Sequence, residues 1–321
     1  MTDWVKILKK IPEAWTIPSR RSVQELIDDD EYSKALRIVN LKAKKWPKNP
    51  DFWGDKGDVL SELERFREAI IAYKKALKLD PKNYANILGL ILAYHDSGDF
   101  KEVIKCIDKL PSDKIDQDTL VMKADCLSHL GKNSQSLKIF QNLLEDDPSD
   151  LDFMDSCVQE LIDLGRYKEA DKIVDRLIEL DPESVNNLNI KSDIALRTGK
   201  YKESIKFAQK ALKLVGDDED YAVSWSNISS VQFHQGDHKA ALKSVEKSLE
   251  LDDTLGITWL LSAFINRALG NEEYFEIQSA AGLSRLDIYQ LKDVIDIILT
   301  QLPPKERKEF EKEIRSAIEI K

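Results

Sequence analysis

The chain has 321 residues, 42% of them hydrophobic and 33% charged, which excludes intrinsic disorder and collagen-like sequence. Its net charge of −10 disfavours a globally basic nucleic-acid binder, and three cysteines are too few for a secreted disulfide framework. No apolar run is long enough to span a membrane and the start has no signal-peptide core, so the chain reads as soluble, intracellular and cytoplasmic. In chain order, residues 3–10 predict a short helix with Trp4, Ile7 and Leu8 on one side, ended by Pro12. Residues 1–15 read as an N-terminal capping helix or arm in preference to a membrane-surface anchor, for which the helix is short.

A period begins after this arm. Six of the twelve glycines, Gly98, Gly131, Gly165, Gly199, Gly236 and Gly270, are spaced 33, 34, 34, 37 and 34 residues apart. Pro47, Pro81, Pro148 and Pro182 share the register, each 17 residues past the turn position. The period divides the chain into eight units: 16–49, 50–83, 84–116, 117–150, 151–184, 185–221, 222–255 and 256–281. Each unit predicts two amphipathic helices. The first stops at the glycine, which takes the left-handed cap without strain. Units one and two carry Asp30 and Glu64 there, so their turns call for another solution. The second starts at the residue after the turn, usually aromatic (Tyr32, Phe66, Phe100, Tyr167, Tyr201), and ends at Leu-Asp-Pro. Unit two has apolar residues at helical spacing, Trp53, Leu60, Leu63, Phe66, Ile70, Tyr73 and Leu77. Small residues stand where helices cross, Gly57 and Ala69 in unit two, Ala124 and Ser136 in unit four. Nothing alternates with period two over strand length. The acidic stretch Gly216 to Tyr221, three residues longer than the norm, reads as a solvated loop.

The pattern Trp53, Gly57, Leu60, Phe66, Ala69, Tyr73, Ala76, Pro81 resembles the tetratricopeptide repeat, whose period is 34 residues. The resemblance covers residues 16–281. Departures are Val103 and Phe275 at the small crossing position, Gln232 and Asn266 at an apolar position, and Asn133, His238 and Glu272 in place of the aromatic. The fold implied is an all-α, right-handed superhelical solenoid of stacked antiparallel helix pairs over 16–286, with terminal capping helices. Residues 287–321 read as the C-terminal caps: an apolar-striped segment ending at Leu299, a break at Pro303-Pro304, then Lys305 to Ile320.

Catalytic patterns are missing from the sequence. There is no phosphate-binding glycine loop, Cys-x-x-Cys, His-x-x-x-His on one helix face or Gly-x-Ser-x-Gly elbow. His234 and His238 are separated by the Gly236 turn. Cys106, Cys126 and Cys157 read as buried structural thiols. No enzyme activity, cofactor, metal or small-molecule substrate is therefore expected, and the chain reads as a protein-interaction scaffold.

The resemblance implies that first helices line a concave inner face. Over units two to seven, its 36 inner positions hold eleven acids, Arg197 as the one arginine and no lysine. Average composition would place roughly six or seven acids and about five bases there. The candidate partner-binding residues are Asp55, Asp58, Glu62, Leu88, Leu92, His95, Val121, Met122, Asp125, His129, Asp155, Gln159, Asn189 and Asp193. An acidic groove with an apolar centre fits a basic or amphipathic peptide or helix. Helix-dipole preference accounts for some of the acids but not for Asp58, Asp125 and Asp193, which recur mid-helix. Some members of the family bind acidic chaperone C-termini through inner lysines and asparagines. Here those slots hold Gly54, Leu88, Val121, Asp155, Asp58, Leu92, Asp125 and Gln159, so no such binding is expected. Lysines recur instead on second helices, at Lys105, Lys138, Lys172, Lys206 and Lys243, with Glu102, Glu169 and Glu203 placed for pairing three residues earlier. RNA along those rows is a weaker reading than a solvated outer face. The alternative to groove capture is a structural or assembly subunit whose contacts are its ends or convex face.

Overall fold

A computed structural model describes residues 23–214 and 217–285. The expected caps at 1–15 and 287–321 lie outside the described residues. Among the described residues the chain is all-α, with sixteen α-helices, a short 3-10 turn at Ser112–Lys114 and no strand. The helices stack in sequential antiparallel pairs, and they divide into two compact units between Gly131 and Lys132.

The first unit contains α1 (Val23–Asp28), α2 (Tyr32–Lys45), α3 (Pro50–Glu62), α4 (Phe66–Leu79), α5 (Tyr84–Asp96), α6 (Phe100–Ile107) and α7 (Gln117–His129). The second contains α8 (Asn133–Asp146), α9 (Leu151–Asp163), α10 (Tyr167–Leu180), α11 (Val185–Arg197), α12 (Tyr201–Ala211), α13 (Asp218–His234), α14 (His238–Leu251), α15 (Gly256–Ala268) and α16 (Glu272–Arg285).

Two different devices start the helices. First helices open on a side-chain cap: Asn49 accepts from the Asp51 N–H, Asn83 from Asn86, Asp116 from Thr119, Asp150 from Phe153, and Ser184 from Asn187. Each satisfies one of the orphan donors of a first turn. Most second helices lack such a cap and follow directly from the left-handed turn. Gly98, Gly131, Gly165, Gly199, Gly236 and Gly270 all have positive φ. So do Asp30, at 58°, and Glu64, at 56°. No other solution is used in units one and two: the Arg65 N–H reaches Leu60 O at 2.8 Å, as the Arg166 N–H reaches Leu161 O at 2.8 Å after Gly165. The hydrogen-bonded turn is therefore kept, and a non-glycine residue bears its backbone strain.

The acidic insertion is not a loop over most of its length. Asp217 caps α13 by accepting from the Asp220 N–H, and Asp218 to Tyr221 form its first turn, which lengthens the helix to 17 residues. Acids are favoured at this end of a helix, so the insertion extends it while Asp217, Asp218 and Glu219 stay exposed and Asp220 is partly buried. The glutamate pairing also differs from expectation. Glu102 pairs with Lys105 at 2.5 Å, but Glu169 turns back to Arg166 at 2.7 Å and Glu203 to Lys200 at 3.5 Å. The residue just before each of those two helices reaches the third-position glutamate, leaving Lys172 and Lys206 in solvent.

Packing differs between the units. In the first, Leu60, Tyr73, Ile91, Tyr94, Val103, Ile107 and Cys126 belong to one apolar cluster. Tyr73 of α4 is its wedge: a Cβ at Gly57 of α3 would lie 2.5 Å from the ring, and one at Gly89 of α5 would lie 2.6 Å from it. In the second unit many helix crossings are seams of hydroxyls. Ser192 bonds Ser204 O at 2.9 Å, Ser229 bonds Ala241 O at 2.8 Å and Ser248 bonds Ala222 O at 2.7 Å. Gln232 and Asn266 find partners across their helix pairs, in Ser244 and Gln278. The buried Lys191, its side chain 4% exposed, lies 2.6 Å from both Asp171 and Asp175.

Candidate functional site

In the first unit the candidate residues form three helical stripes. On α3, Asp51, Asp55, Asp58 and Glu62 recur at three- and four-residue steps, and so share one face. On α5 the same steps give Leu88, Leu92 and His95, and on α7 they give Val121, Asp125 and His129 with Met122 alongside. Leu88 and Leu92 are 37% and 42% exposed, large for aliphatic side chains. Val121 and Met122 are half-buried, and Met122 packs on the core cluster.

The acids of this face are held at an electrostatic cost. Burial raises the pKa of Asp55, with Asp58 and Asp51 adding to it against Lys42. Burial also raises that of Asp58, opposed by the Tyr73 hydroxyl, which donates to its Oδ1 at 2.7 Å, and reinforced by Glu62. The tyrosine wedged between Gly57 and Gly89 thus fixes the direction of a carboxylate. Asp125 is raised by burial and lowered by His129 and His95. The Phe100 ring stacks on His129 at 4.4 Å and meets His95 edge-on at 6.0 Å, joining two neighbouring first helices through the helix between them.

The second unit treats its four candidates differently. Asp155 is half-buried, its Oδ1 has no hydrogen-bond partner, and burial with Asp152 raises its pKa. Gln159 is exposed and donates to Asp163 at 2.9 Å. Asp193 is ion-paired with Arg197 at 2.6 Å. Asn189 is 4% exposed, and its amide is spent: it donates to Asp220 O at 2.9 Å and accepts from Ser224 Oγ at 2.6 Å. Asn227 adds a bond to Asn189 O at 3.2 Å. Gln159, Asn189, Asp193 and Asn227, but not Asp155, border a cavity of about 510 Å³ lined by α9, α11, α13, α15 and the end of α16. Its polar lining includes Arg197, Ser226, Asn227, Ser230, Thr258 and Arg285. None of these was among the candidates, because they come from four different helices and their convergence on one cavity is not visible in the sequence. The inner-position rule had already placed Arg197 on this face.

Cys126 and Cys157 are buried, and burial pushes their thiols up to about 11, so they are protonated at neutral pH and inert as nucleophiles. Among the described residues no group of histidines, cysteines and carboxylates is arranged to hold a metal, and no helix is long and apolar enough to cross a membrane. His234 stacks on Tyr201, while His238 faces Phe233.

Antiparallel helix pairs at a 34-residue period, with open faces of first helices, define a helical-hairpin repeat protein. Similarity to known proteins identifies the repeat. Tetratricopeptide-repeat family models match residues 50–83, 158–184 and 183–254. The chain is a tetratricopeptide-repeat protein, and such repeats point to protein partners. A tetratricopeptide repeat protein from Parabacteroides merdae has a similar fold, with a TM-score of 0.53 at 16% identity, over 76% of this chain and 95% of that one. An N-terminal acetyltransferase A complex subunit-like protein of Schizosaccharomyces pombe is 26% identical over 147 residues, 46% of this chain and 21% of the relative. The match thus spans about a fifth of that relative's length.

Proposed function

We propose that the protein is a non-catalytic interaction scaffold whose first unit captures a basic, amphipathic segment of a protein partner. The observation that carries this reading is the set of carboxylates at Asp55, Asp58 and Asp125, kept in partly buried positions that disfavour their charge, beside the exposed Leu88 and Leu92. Ammonium or guanidinium groups relieve that cost on binding, and an apolar stripe covers the leucines. Raised thiol pKa values in Cys126 and Cys157 support a scaffold over a cysteine-based catalyst, and three free thiols suit a reducing, cytoplasmic setting. The eight-unit array bounded by caps remains part of this proposal.

The test is fluorescence anisotropy with a labelled lysine–leucine amphipathic peptide. The Asp55→Lys/Asp58→Lys/Asp125→Lys variant is expected to bind at least tenfold more weakly, and wild-type affinity is expected to fall as salt rises. Equal affinity for both proteins sinks the reading. A second reading, a subunit of a larger assembly contacting partners elsewhere on its surface, is favoured by the complex-subunit name of the fission-yeast relative. It predicts that the triple reversal leaves partner capture from native extracts unchanged.

A further inference from the structure

The acidic face of the first unit has a candidate occupant within the same chain. Residues 1–22 carry Lys6, Lys9, Lys10, Arg20 and Arg21 against Asp3 and Glu13, while the whole chain has a net charge of −10. Trp4, Ile7, Leu8 and Ile11 recur among those lysines at three- and four-residue steps, an apolar stripe edged by cations. This is the ligand chemistry inferred above for the groove. Residues 286–321 do not share it, with eight acids against seven bases.

The point of entry fits as well. Val23 opens α1 and belongs to the same apolar cluster as Val59 of α3. The segment therefore joins the fold beside the helix that carries Asp55, Asp58 and Glu62. Twenty-two residues reach at most about 70 Å, and α3 is about 20 Å long, so length does not limit access. Tethering raises the local concentration of such a segment to the order of millimolar, enough for a weak contact to compete with a free partner.

We propose that residues 1–22 occupy the acidic face of α3, α5 and α7 in the free protein and must be displaced by its partner. This rests on the groove reading of the preceding section. The segment then lowers apparent affinity by the fraction of molecules in which the face is covered.

Two measurements on the full chain test the proposal. In the first, a zero-length carbodiimide couples amines to carboxylates in contact, and peptides are mapped by mass spectrometry on a mixture of ¹⁵N-labelled and unlabelled chains. Coupling of Lys6, Lys9 or Lys10 to Asp55, Asp58 or Glu62 within one molecule, lost in 1 M NaCl, is the expected result. Coupling of these lysines only to Glu25 or Asp28 of α1, the result for a cap on the first hairpin, overturns it. So does coupling between labelled and unlabelled chains, the result for a second copy. In the second, the Lys6→Glu/Lys9→Glu/Lys10→Glu variant is titrated with the same labelled lysine–leucine peptide. At least fivefold tighter binding than wild type supports an intrachain occupant. Unchanged affinity defeats the inference while leaving the groove intact, because loss of the groove itself appears separately in the Asp55, Asp58 and Asp125 reversals.

Discussion

The two units are built from one hairpin and use its inner face in opposite ways. In the first, the acids of α3 and α7 stand with few internal partners, and exposed leucines lie on α5 between them. In the second, polar residues at the same kind of repeat position are consumed by their neighbours: Asp193 by Arg197, and Asn189 by Asp220 and Ser224. The difference teaches that a repeat position fixes where a side chain points, not whether it is free. An inner acid is available to a partner only where the adjoining repeats supply no donor.

The largest expected effect tests the internal network of the second unit. Lys191 is buried between two carboxylates; burial works against its charge, yet Asp171 and Asp175 hold its pKa above the usual lysine value. Lys191→Ala leaves Asp171 with only the longer Lys200 contact at 3.4 Å, and is expected to cost about 3 kcal/mol, read by urea denaturation. A loss under about 0.5 kcal/mol, the scale of an exposed ion pair, would place this triad with surface pairs and blur the contrast between units.

Next is the tyrosine wedge of the first unit. Gly57→Ala drives a methyl group into the Tyr73 ring and is expected to cost about 2 kcal/mol. It also disturbs the hydroxyl that orients Asp58, so affinity for the basic peptide should fall with stability. A variant that loses stability but keeps full affinity separates the wedge from the groove.

The turns give a smaller and oppositely signed pair. Gly165 has a φ of 68° and open space around its Cβ position, so Gly165→Ala measures backbone strain alone, about 1 kcal/mol of destabilisation. Glu64 already bears that strain at a φ of 56°. Glu64→Gly is expected to stabilise the first unit by about 0.5 kcal/mol, strain relief exceeding the added freedom of the unfolded chain. A fall in melting temperature for Glu64→Gly would show that the glutamate side chain supplies more than its backbone costs.

The smallest effect is in pH. The folded-state pKa values of Asp55, Asp58 and Asp125 are raised, so the folded chain takes up these protons at higher pH than the unfolded chain does. Their contribution to stability therefore rises as pH falls through the folded values, and levels off below the unfolded aspartate value of about 3.9. Peptide binding moves the other way, weakening over the same interval as the charges disappear. The Asp55→Asn/Asp58→Asn/Asp125→Asn variant should lack both trends relative to wild type, measured by chemical denaturation and anisotropy from pH 7 to about 4.

Much of the fold was legible because its signals are local. The helix starts at Tyr32, Phe66, Phe100, Tyr167 and Tyr201, and the ends at Leu79 and Leu180, fall where the turn and proline register placed them. Asp30 and Glu64 were misread because propensity argued against a left-handed non-glycine, whereas the hydrogen-bonded turn and the packing of both flanking helices impose it. The acidic insertion was misread because charge run and loop were equated, although Asp217 followed by acids is also a good helix start.

The amino-acid order by itself determined the hairpins, their period and the negative bias of the inner positions, since caps, turns and helical spacing act over one to four residues. Only tertiary structure decided which of those positions stay open. The partners that close Asn189 lie 31 to 38 residues away, on the next first helix, and Tyr73, which aims Asp58, is 15 residues distant on another helix. Those contacts exist only once neighbouring hairpins are packed, because a hydrogen bond between distant residues depends on backbone positions that no short stretch of sequence specifies.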